Sequence, residues 1–136
     1  MTPRVSSRRQ PMDAAAVRIR FRDAQTRLAS AELQVVGASP HEWKHGAEIA
    51  VSAGIAAADA ICGHVLGYKV VSESHRDAVE ALRVASNAAT AKHLDTLLAV
   101  KSAQSYGDRL PTHTDASRLV LHARRLVDAA ESALTN

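Results

Sequence analysis

Apolar positions recur every three or four residues along most of the chain, the period of a helix with one buried face. From Pro11 the stripe runs through Val17, Phe21, Ala24, Leu28, Ala31 and Val35, and Gly37 closes it. Ser39 then supplies an N-cap and Pro40 a first helical residue, opening a second helix that reaches about Leu66. Its Ala47, Ala50, Gly54, Ala57 and Ile61 form a seam of small residues, and Ile49, Ala53, Ala56 and Ala60 form another apolar face. A helix that is apolar on more than one side lies at the centre of a bundle, or at the centre of a pair of chains.

Gly67 ends this helix, and 67–73 reads as a connection. Ser74 followed by Asp77 predicts the cap of a short third helix with Ala78, Val79, Leu82 and Ala85 inward. A fourth helix follows Ser86–Asn87, and its stripe of Ala91, Leu94, Leu97 and Leu98 extends to Lys101. Gly107, Asp108 and Pro111 break it. Thr112 or Thr114 caps a fifth helix, lined by Ala116, Leu119, Ala123, Leu126, Val127, Ala130 and Leu134. No stretch sustains the two-residue alternation of a half-buried strand. The expected class is all-α, an up-and-down helical bundle of four long helices plus one short helix.

Composition sharpens this picture. Aromatics make up only 3% of the 136 residues, so the core must be built from Ala, Leu, Val and Ile. The length suits one domain, here 11–136, behind a flexible basic arm at 1–10. Before residue 30 stand seven arginines (Arg4, Arg8, Arg9, Arg18, Arg20, Arg22 and Arg27) against Asp13 and Asp23. An arm of that charge is able to meet phosphates, though such arms are commonly only solvated. The single cysteine, Cys62, excludes an internal disulfide and fits a reducing, cytoplasmic setting. The most apolar run, 49–66, is interrupted by Asp59 and His64 and reads as a buried helix, so no membrane is expected.

Residues 41–45 spell His-Glu-Trp-Lys-His, the H-E-x-x-H of zinc proteases. The motif falls in the first turn after Ser39–Pro40, where Glu42 is accounted for by the helix dipole. No strand stands ready to flank a peptide substrate. His41, His45 and Glu48 share a face and offer a metal-binding alternative. Glu42 and His45 also spell the E-x-x-H of di-iron bundles, but the chain holds no second copy. With no phosphate-cradling glycine loop either, no cofactor is expected.

Polar residues on apolar surfaces supply further candidates. Asp59 sits in the most apolar part of the second helix and needs a partner, for which Lys101 across the bundle is suited. Tyr106 lies just beyond Lys101, and His75 opens the third helix. On the fifth helix Arg118, His122 and Arg125 share the face opposite the leucines, forming a solvated stripe or one that meets phosphates.

The stretches "AGIAAADAICGHVLGYKVVSESHRDAVEALR" (53–83) and "LLAVKSAQSYGDRLPTHTDASRLVLHARRLVDAAESAL" (97–134) resemble the HEPN superfamily, in particular its actinobacterial single-domain members. The resemblance implies a bundle that pairs two-fold through its long helices. It also implies a role among metal-independent ribonucleases, toxins of toxin–antitoxin pairs, partners of nucleotidyltransferases, or inactive nucleic-acid-binding members. The family's catalytic pattern is an arginine followed after four to six residues by a histidine, on the helix equivalent to the fourth here. Arg109 to His113 and Arg118 to His122 each span only three intervening residues. On the fourth helix Lys101 and Gln104 to Tyr106 stand at the corresponding places, and tyrosine is a poor general base at neutral pH.

The expected function is therefore that of a homodimeric HEPN-like domain binding RNA, a nucleotide or a partner protein, such as a nucleotidyltransferase or antitoxin, in a central cleft. Asp59, His75, Lys101 and Tyr106 would line the cleft, and Arg118, His122 and Arg125 would make outer phosphate contacts. The alternatives are a divergent ribonuclease using the same cleft and a metal-binding bundle centred on His41, His45 and Glu48.

Overall fold

In a computed structural model the chain is described over residues 8–71, 74–103 and 107–136, with residues 102 and 103 described by backbone alone. Tyr106 lies outside the described residues. The order of elements is β1 (Arg8–Pro11), α1 (Ala14–Val35), α2 (Pro40–Leu66), β2 (Tyr68–Val71), α3 (His75–Ala85), α4 (Ala88–Ala103) and α5 (His113–Thr135).

Local chemistry sets the helix ends. Asp13 accepts from Ala16 N at the start of α1. At α2 a full capping box forms: the Ser39 side chain caps the first turn, and Glu42 reaches back to Ser39 N. Pro40 takes the first helical position, where a missing N–H costs nothing. Gly67 closes α2 at φ +83°, a left-handed conformation that penalises any residue with a Cβ. Ser74, Asn87 and Thr112 accept from backbone N–H groups in the first turns of α3, α4 and α5.

Helix α2 is the spine and packs against all four other helices. On one side α1 returns antiparallel after a short link, and α5 lies across both. On the other side the α3–α4 hairpin covers α2 and α5. Ala47, Ala50, Ala53, Gly54, Ala56, Ala57, Ala60 and Ile61 are all buried, so α2 presents small residues to every neighbour. Leu82, Leu94, Leu97 and Leu126 fill the space those alanines leave. By length and composition α2 is apolar enough to cross a membrane, yet most of that surface is buried inside the bundle.

Two differences from the sequence expectations bear on the site. First, β1 and β2 form an antiparallel two-stranded ribbon, with Arg8 opposite Val71 and Pro11 opposite Tyr68. Residues 8–10 of the expected arm and part of the expected 67–73 connection are thus paired with each other. The Arg9 guanidinium lies 4.5 Å from the Tyr68 ring centroid, and Met12 N donates to Gly67 O at 2.9 Å, anchoring the ribbon to the end of α2. Each strand has only four residues, too few for alternation to show in sequence. Second, Lys101 is exposed at the end of α4, not inward. Leu98 is buried and Val100 still packs against the core, but Lys101 turns away from it.

Candidate functional site

Asp59 is where burial demands a partner, and α1 supplies it. Arg20 Nε donates to Asp59 Oδ2 at 3.0 Å, and Arg20 Nη2 lies at the same distance. Burial pushes the Asp59 carboxyl above its ordinary 3.8, and the Arg20 guanidinium and then the Lys69 ammonium pull it back. The cations that act on Asp59 therefore come from α1 and β2, and Lys101 is not among them. Beside this pair Arg27 donates to Ser52 Oγ at 3.0 Å. Cys62, on the same helix, has its thiol pushed up to about 12 by burial and by Asp59, so it is no nucleophile at neutral pH.

The other cleft candidates go elsewhere. His75 Nε2 lies 2.5 Å from Asp95 Oδ1 and clamps the start of α3 to the middle of α4. Asp59 and His75 are thus engaged by different partners, Arg20 and Asp95, and Lys101 is exposed at the end of α4. His41, His45 and Glu48 are exposed on α2, and no group of three or more His, Cys, Asp or Glu among the described residues is placed to hold a metal ion. Helical spacing puts the three on one face, but that face looks outward and no packed neighbour draws the side chains together. The H-E-x-x-H residues serve the helix start instead. Glu42 closes the capping box, and Trp43 Nε1 donates to Gly37 O at 2.7 Å. The Trp43 ring meets His113 edge-on at 5.2 Å, and His113 Nε2 bonds Val35 O at 3.0 Å, tying α1, α2 and α5 together at this end.

The cluster that does form lies between α4 and α5. His93 on α4 meets His122 on α5, with their Nδ1 atoms 2.9 Å apart and ring centroids 5.1 Å apart. One Nδ1 carries a hydrogen and the other accepts it. Arg118 and Arg125 stand one turn to either side of His122 and are exposed. Among the described residues neither arginine has an acidic partner, unlike Arg20, Arg83 and Arg124. The sequence reading grouped Arg118, His122 and Arg125 but missed His93. Its only trace was a histidine at the margin of the Leu94–Leu97–Leu98 stripe, where a side chain meets a neighbouring helix at its edge.

Both imidazoles are held below their ordinary 6.5. For His93 burial is the larger cause and the Arg125 charge the smaller; for His122 burial leads, followed by His93 and Arg118. Between the lowered values and 6.5 the folded chain therefore binds fewer protons than the unfolded one. The pair's contribution to stability is complete above 6.5 and is lost as pH falls through the folded values. The melting temperature is expected to fall from about pH 7.5 to about pH 5. His93→Gln should flatten that fall; an unchanged slope would mean the pair does not titrate this way.

No family model, no curated protein and no solved structure matches the chain.

Proposed function

We propose that the protein is a HEPN-like helical module, paired two-fold in a reducing cytoplasm, that binds RNA on the α4–α5 face. The observation that carries this is the His93–His122 contact flanked by Arg118 and Arg125, two exposed arginines with no acidic partner among the described residues. Unpaired arginines beside polarisable imidazoles are what a phosphate requires, because each supplies charge-assisted donors without first breaking an internal ion pair. A net charge of +3 adds long-range attraction for a polyanion. Asp59 and His75 are each engaged by a partner within the chain, Arg20 and Asp95, which favours this face over a central cleft.

Labelled single-stranded RNA should bind at low salt, with affinity falling as salt rises. Arg118→Ala with Arg125→Ala should weaken binding and reduce the salt slope by about 1.4, two charges at about 0.7 each. RNA that stays unbound at low salt, or binds the double variant with the same slope, excludes this face as the RNA site. Sedimentation of the full chain tests the paired state.

One observation favours a ribonuclease as the second reading. With both imidazoles held below 6.5, the ring that donates through Nδ1 keeps a free lone pair on Nε2, able to take a 2′-hydroxyl proton. Against it, the two Nδ1 atoms bond each other, so while that contact lasts the rings do not stand on opposite sides of a scissile phosphate as an acid and a base. RNA cleaved in the presence of a chelator by the native chain, and left intact by His122→Gln, would establish the enzyme.

A further inference from the structure

We propose that the His93–His122 pair recognises a terminal phosphate monoester, the end of an RNA or a free nucleotide, and takes up a proton when it does so. This rests on the α4–α5 face being the phosphate site and adds which phosphate it prefers. A contact of 2.9 Å between two Nδ1 atoms requires one hydrogen shared along one line. Only one ring can be an imidazolium while that bond lasts, since two facing N–H groups at this distance repel. A second proton therefore breaks the contact, and an anion that accepts from both rings takes its place.

The surroundings favour that exchange only when the anion is doubly charged. The charges that act on the pair are Arg125 on His93 and Arg118 on His122. Among the described residues the charges acting on the two rings come from α4 and α5 alone, and none of them is a carboxylate. An internal phosphodiester brings one negative charge, which the arginines alone outweigh. A monoester carries close to two near neutral pH, matches both arginines, and still has oxygens to accept from the rings. The layout agrees: rings with centroids 5.1 Å apart converge on one spot, whereas a backbone tracked along its length needs separated contacts.

The test is calorimetry of the full chain with three ligands: a 5′-phosphorylated oligoribonucleotide, the same oligomer without its terminal phosphate, and a nucleoside 5′-monophosphate. Each is run in two buffers of different ionisation enthalpy. The phosphorylated oligomer should bind about ten-fold more tightly than its unphosphorylated twin. That preference should grow from about pH 7.5 to about pH 6.5, a range in which the monoester keeps most of its second charge, with net proton uptake revealed by the buffer dependence. His93→Gln and His122→Gln should each remove the preference and the uptake while leaving weaker, salt-dependent binding through Arg118 and Arg125. Proton NMR of the ring Cε1–H signals in the native chain gives an independent readout, since ligand must shift both rings toward imidazolium. Nucleotide binding as tight as the phosphorylated oligomer assigns the site to free nucleotides, and much weaker nucleotide binding assigns it to RNA ends. Equal binding of the two oligomers, or heat independent of buffer in both native and variant chains, overturns the inference and leaves RNA binding standing. No binding of any ligand removes both.

Discussion

Leu97→Ala is expected to lower the free energy of unfolding by about 2–5 kcal/mol, the usual cost of emptying a fully buried leucine site. The site has a particular neighbour. A Cβ built on Gly54 of α2 would overlap Leu97 Cδ1 and sit 3.1 Å from Leu126 Cδ1. Gly54→Ala alone should therefore cost about 1–3 kcal/mol through overpacking, offset in part by the roughly 1 kcal/mol that alanine gains over glycine in a helix. With Leu97 already shortened, the overlap disappears and the new methyl enters the space vacated. Gly54→Ala should then stabilise, and the two changes should couple by about 1–3 kcal/mol. Urea unfolding of the native chain, both single variants and the double variant measures this directly. Strict additivity would show that Leu97 does not close over Gly54.

The helix ends were legible because their determinants are local. Ser39–Pro40, Ser74 with Asp77 and Gly67 each act within one turn and stand where the sequence placed them, and of the two threonines offered for α5 Thr112 is the cap. The helix faces were legible where a stripe has several members, as along α2. They failed near a helix end, where Lys101 continued the count but Val100 beside it is the residue that meets the core. The β1–β2 ribbon was illegible for another reason: its partners are distant in sequence, and Arg8–Arg9 in isolation look like a solvated arm.

The site divides along the same line. Spacing along α5 placed Arg118, His122 and Arg125 on one face, since one helix suffices to align them. His93 required knowing how α4 docks on α5, which periodicity does not contain. Asp59 is the intermediate case. Its place in an apolar helix announced the need for a cation, but many cations were available, and packing chose Arg20 over Lys101. H-E-x-x-H was legible by the same local logic: its place in the first turn assigned Glu42 to the helix N-terminus, and there it closes the capping box.

The Arg20–Asp59 pair should be the most costly polar contact to break. Arg20→Ala leaves a carboxylate that is only 17% exposed without its main partner, at a cost of about 3 kcal/mol near neutral pH. Arg20 also lies 3.6 Å from the more exposed Asp23, a contact that contributes little. The pH dependence distinguishes this site from an ordinary salt bridge. Because burial outweighs Arg20, the folded pKa lies above 3.8, so between 3.8 and that raised value the folded chain holds more protons than the unfolded one. This group's contribution to stability therefore rises as pH falls through the folded value and levels off below 3.8. Removing Arg20 raises the folded value further, and the deficit of the variant should shrink on acidification. Asp59→Asn, neutral throughout, should cost less, about 1 kcal/mol, and should rescue Arg20→Ala when the two are combined. Denaturant titrations from about pH 4 to about pH 7 test the sign: a deficit in Arg20→Ala that grows as pH falls would mean Asp59 sits in a more watery, more strongly paired setting than the α1–α2 packing provides.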